Sequence, residues 1–149
     1  MKKEIIFIML LIISLTANAQ KTSNILLGRW LIIKTISTNP NYRLNKKESK
    51  QFVGDTITFL SNRIIAPRNK TFYGGCNSPI YKFKTVNALK YYDNDRAYLK
   101  LIECKTTNIE IIETSCGLPF ASIRVIGKND IDIGVDSYRY FLRKIDPKN

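Results

Sequence analysis

The chain is expected to fold as one all-β domain of about eight strands, a barrel or a sandwich. Three observations predict this. Apolar residues alternate with polar ones at a period of two along most of the chain beyond Gln20, as in half-buried strands. Turn-forming clusters punctuate those runs at short, near-even intervals. A length of 149 residues, 44% hydrophobic and 24% charged, suits one core and is too short for two independent ones. Closing such a sheet into a barrel removes the edges that otherwise invite aggregation.

The first nineteen residues stand apart from the barrel pattern. Lys2 and Lys3 precede an apolar run from Ile5 to Leu15, and Ala17-Asn18-Ala19 supplies the small-x-small pattern of a signal peptidase site. A membrane-spanning helix needs about 20 apolar residues, and this run is shorter. Residues 1–19 are therefore read as a cleaved signal peptide and residues 20–149 as the working domain. No later stretch approaches spanning length, so no transmembrane segment is expected after processing. The expected location is periplasmic or secreted.

The strands follow in order. Trp30–Ile36 opens the series, and Ile57 and Phe59 alternate with threonines. Arg63–Ala66 is a short strand, and Tyr81 and Phe83 alternate with lysines. Leu99 and Leu101 bracket Lys100, and Ile109 and Ile111 bracket Glu110. The segments Tyr98–Glu103 and Asn108–Glu113 are thus expected to form a hairpin turning near Lys105-Thr106. Ile123 with Val125, then Ile131, Ile133 and Val135, then Tyr138, Tyr140 and Leu142 complete the set. Asp130, Asp132 and Asp136 alternate with the apolar residues of their strand and are expected to face water. Tyr42–Phe52 reads as a weak helix or a charged surface loop.

Export permits disulfides. Three cysteines allow one bond. If Cys104 sits at the expected hairpin turn, it lies far from Cys116, and bonded Cα atoms must come within about 7 Å. Cys76–Cys116 is the favoured bond, with the other pairings and no bond left open. The remaining thiol is read as buried and inert, since no histidine exists to activate it.

Gly28-Arg29-Trp30 at the start of the first strand resembles the G-x-W opening of lipocalins and the wider calycin group. The resemblance implies a single antiparallel up-and-down β-barrel of about eight strands, in which Trp30 closes one end while a basic residue of the last strand packs across its ring. Arg143 is the matching candidate and Arg139 the second. Gly28, Trp30 and Arg143 are thus expected to form a structural closure. A weaker likeness joins Gly75-Cys76-Asn77 and Thr114-Ser115-Cys116 to elements of the META domain, although Pro79 and the lack of a following glycine break that pattern. Neither family implies an enzyme.

The absence of histidine excludes Ser-His-Asp and Cys-His catalysis and histidine metal sites. No catalytic residues, cofactor or metal are expected. Asp93-Asn94-Asp95 offers too few ligands, and Asp130–Asp136 lacks the irregular backbone of a calcium loop. Glu103, Glu110 and Glu113 carry no mark of a glycosidase pair. The net charge is +12. Its basic clusters read mainly as a solvated face, with acidic proteins or anionic envelope polymers as the partners they would attract. An exported protein is not expected to meet nucleic acid.

Two functions remain. The first is a lipocalin-like binding protein that holds a small apolar or anionic ligand among Phe59, Tyr81, Phe83, Leu101 and Tyr140. The second is a protein-interaction module, an inhibitor or immunity protein for an acidic envelope or secreted enzyme. Its contacts would lie around Lys46–Lys50 and Arg68–Gly75.

Overall fold

The alternation in Asp130–Val135 sets the two faces of the fold. Ile131, Ile133 and Val135 are buried on one side of their strand, and Asp130, Asp132 and Gly134 take the other. The computed structural model describes residues 25–39, 50–68, 71–135 and 137–145. The proposed signal peptide, most of Tyr42–Phe52 and the turn residue Asp136 lie outside these.

The strands are β1 (Gly28–Ser37), β2 (Thr56–Phe59), β3 (Arg63–Ile65), β4 (Gly75–Asn77) and β5 (Tyr81–Asn87). Two short helices follow, α1 (Ala88–Tyr91) and α2 (Arg96–Leu101), and then β6 (Asn108–Thr114), β7 (Ser122–Gly127), β8 (Asp130–Val135) and β9 (Tyr138–Ile145). All nine join one curled antiparallel sheet, a half-barrel, in the order β4-β3-β2-β1-β9-β8-β7-β6-β5. The longest ladder pairs β1 with β9 from Arg29↔Ile145 to Ser37↔Tyr138. A bulge between Ile32 and Lys34 leaves Ile33 outside the register.

The strand number explains why the ladder stops at β4 and β5. Antiparallel neighbours alternate in direction, so the two outer strands of a nine-stranded sheet run the same way. Parallel partners need a crossover of about a dozen residues or more, whereas only residues 78–80 separate β4 from β5. The chain therefore steps straight across the seam. Two links brace it: the Cys76–Cys116 disulfide, with Cα atoms 6.1 Å apart, and the Tyr81 hydroxyl donating to the Leu60 carbonyl at 2.9 Å.

The expected disulfide is present, but the hairpin used to argue for it is not. Residues 96–101 form α2, because the Asp95 side chain accepts from the Tyr98 N–H and caps a helix start. A two-residue alternation at Leu99 and Leu101 is too short to distinguish strand from helix. Cys104 follows that helix as the free cysteine, and it is half-exposed rather than buried. Helices α1 and α2 lie over the outer face of the sheet, where Ala88 packs with Ile109 and Ile111 in a second small core. Ile111 thus faces outward into a covered site, and its neighbour Ile112 enters the main core.

Candidate functional site

Four of the five residues assigned to an interior ligand do face the hollow of the sheet. Phe59 is fully buried and Tyr140 is buried, while Tyr81 and Phe83 are half-buried against the same core. Leu101 is not among them: it ends α2 on the outside and is 38% exposed. The hollow is packed with aromatic rings. Phe72 lies 5.3 Å from Tyr140, 5.4 Å from Phe52 and 6.3 Å from Phe120, centroid to centroid, and Phe120 meets Phe59 at 6.2 Å. These edge-on and stacked contacts are those of a filled core. Burial also pushes the Tyr81 hydroxyl up to about 12, so it remains a neutral donor to Leu60.

Trp30 is fully buried in the main core and donates from its indole nitrogen to the Leu26 carbonyl at 2.7 Å. Gly28 enters β1 at φ 128°, a backbone region that favours glycine. A side chain there would also meet Lys144 Cε at 3.2 Å. The basic residue over the indole is Lys144, not Arg143: Lys144 Nζ lies 5.5 Å from the ring centroid. Register is the reason. Trp30 pairs with Lys144 and shares its face, whereas Arg143 pairs with Leu31 on the opposite face. The Arg143 side chain is 61% exposed and bonds Asp130 at 2.9 Å. Arg139 is likewise on the outer face.

The outer face holds a buried polar cluster that sequence reasoning missed. Asp132, expected to face water, is fully buried. It accepts from Arg124 on β7 and from Arg139 on β9, whose side chains are 4% and 9% exposed. Arg124 also donates to the Ile102 carbonyl at 2.8 Å and so ties the end of α2 to the sheet. Burial works against both guanidinium charges, but the Asp132 carboxylate outweighs it, and both arginines are held above their ordinary values. Burial likewise pushes the neighbouring Tyr92 up to about 12. Gly134 leaves room for this arrangement, since a Cβ there would come within 2.9 Å of Arg139 Nη1. Alternation places Arg124, Asp132 and Arg139 on one side, a signal present in the sequence. The cover supplied by α1 and α2 was not foreseen.

Three further acids have partners. Lys34 holds the Glu103 carboxyl below its usual range through a hydrogen bond, and Glu113 pairs with Lys84 at 2.5 Å. Asp95 serves as the α2 cap.

The seam presents a different surface. The most exposed large apolar side chains among the described residues are Tyr73 (74%), Leu118 (67%) and Ile80 (62%). Each lies within four residues of a half-cystine in the sequence. Ile80 is fixed further by two hydrogen bonds with Ser115, its N–H to Oγ at 2.9 Å and its carbonyl from the Ser115 N–H at 3.1 Å. Arg63, Arg68 and Lys82 are exposed nearby in the chain. Together these features define an all-β half-barrel protein with a packed hollow and a disulfide-braced seam. Comparison with protein-family models, with curated proteins and with solved structures returns no match.

Proposed function

We propose that this is an exported, non-catalytic binding module of lipocalin-like build that engages an acidic protein through its seam loops. Residues 1–19 direct export and are removed, which places the Cys76–Cys116 bond in an oxidising compartment. The sheet wraps into a barrel closed across β4 and β5 by the disulfide and side-chain bonds. The observation that carries the reading is the placement of Tyr73, Ile80 and Leu118, exposed on segments tied to that disulfide. Ordered aromatic and aliphatic side chains with a basic surround are the composition of a protein-binding patch. The strong positive charge, +12 for the whole sequence and one less once residues 1–19 with Lys2, Lys3 and Glu4 are removed, selects an acidic partner and repels basic ones.

A small ligand in the barrel interior is the less supported reading, because Phe59 and Tyr140 are consumed in the aromatic core. Native mass spectrometry of the protein recovered from its own host separates the two. A bound acidic protein that is lost in the Tyr73→Ser, Leu118→Ser double variant is expected. A retained small apolar molecule, unaffected by that variant, would overturn the proposal in favour of the interior site.

A further inference from the structure

On the outer face, α2 and the segment after it form a cleft of about 400 Å³, lined by Arg96, Leu99, Lys100, Glu103, Cys104 and Lys105. That volume falls within the range of small-molecule sites. Three of the six lining residues are cations, and among the described residues no carboxylate pairs with any of them. The single acid, Glu103, is occupied by Lys34. Arg124 bonds the carbonyl of the buried Ile102, the residue before Glu103, within a cluster of two arginines and one aspartate that carries one excess positive charge. The cleft is therefore positively charged at its rim.

Arg96 and Lys100 stand four residues apart on a six-residue helix, where like charges repel and weaken it. The walls between them are largely apolar, formed by Leu99 and by the aliphatic stems of the cations, whose heads reach water. Cations around an apolar slot match a molecule that is apolar at one end and anionic at the other.

We propose that this cleft is a binding site for a small anionic amphiphile, with its phosphate or carboxylate head at Arg96, Lys100 and Lys105 and its apolar body against Leu99. The site lies on the outer face, away from the packed hollow, and does not depend on the seam-loop reading.

Cys104 lines the cleft and is the free cysteine, so occupancy is read as protection of its thiol. The uncharged reagent N-ethylmaleimide is used, with octyl phosphate below its micellar concentration as the probe. Alkylation should slow about five-fold when octyl phosphate reaches four times its dissociation constant. Octyl glucoside, which has the tail without the charge, and inorganic phosphate, which has the charge without the tail, should give little protection. In the Arg96→Gln, Lys100→Gln variant the protection by octyl phosphate, taken as a ratio to that variant's own ligand-free rate, should disappear. Lys105→Gln alone should weaken it, which provides a second reading should the double variant fold poorly. Equal protection by octyl glucoside or by phosphate alone would overturn the proposal, as would protection that survives both variants or no protection at all.

Discussion

Lys144 lies over the indole of Trp30, its Nζ 5.5 Å from the ring centroid, and the same ammonium donates to the Ile25 carbonyl at 3.1 Å. One side chain thus covers the buried tryptophan and anchors the segment that enters β1. Cation–π contacts of this kind contribute about 0.5–2 kcal/mol, whereas truncating a buried tryptophan costs about 3–5 kcal/mol.

Trp30→Ala should therefore destabilise the fold severely, and Lys144→Ala by a smaller amount. The two losses should be non-additive because the groups touch. Arg143→Ala should stay within about 0.5 kcal/mol of the parent, as its side chain is largely exposed. Urea melts followed by the fluorescence of the single tryptophan measure all but the Trp30 variant, for which circular dichroism serves. An Arg143→Ala loss as large as that of Lys144→Ala would restore the original assignment.

Asp132 balances two buried arginines. Asp132→Asn should cost about 3–5 kcal/mol, since it leaves both guanidinium groups buried without a counter-charge. Arg139→Leu should cost clearly less, because Arg124 and Asp132 remain as a balanced pair. Chemical denaturation of the two variants side by side checks the order, and the reverse order would refute this account of the cluster.

The disulfide closes a loop with a sequence separation of 40. The chain-entropy relation for a loop of that length gives roughly 4 kcal/mol of stabilisation. Cys76→Ser with Cys116→Ser should lower the midpoint of urea unfolding accordingly. Amide hydrogen exchange should rise most at β4 and at residues 115–121, which the bond joins across the seam. Uniform exchange across the sheet would show that the bond does not brace this seam.

Tyr81 and Tyr92 are both pushed up to about 12 by burial. Above pH 10 a tyrosine in the unfolded chain loses its proton while these two keep theirs. The folded state then binds more protons, and stability falls as pH rises from about 10 to about 12. Urea melts across that window should show the decline, in a Cys104→Ser background that prevents thiol exchange. Tyr92→Phe should flatten part of the slope, and a slope unchanged by both Tyr81→Phe and Tyr92→Phe would exclude these groups as its source.

Much of the fold was legible in the sequence, because period-two alternation is a local property of each strand. The runs around Tyr81, Ile131 and Tyr140 marked β5, β8 and β9 and their buried faces directly. Cys76–Cys116 was also favoured in advance, although through a hairpin that does not exist. What alternation cannot show is whether a polar face is covered. Asp132 looked like a solvated strand residue, and only α1 and α2 folding over β6–β9 buried it between arginines.

The sequence by itself determined the all-β class and the inward places of Phe59 and Tyr140, consequences of side-chain pattern along a single strand, while the burial of Trp30 followed from the resemblance of Gly28-Arg29-Trp30 to the G-x-W opening. The tertiary structure decided the rest. Cross-strand register put Lys144 rather than Arg143 over Trp30, since a shift of one residue moves a side chain to the other face. The odd number of strands left the β4–β5 seam to a covalent brace. Helix α2, formed where a strand was expected, brought Arg96, Lys100 and Lys105 around one cleft. Each of these depends on contacts between segments distant in the chain, which no local periodicity records.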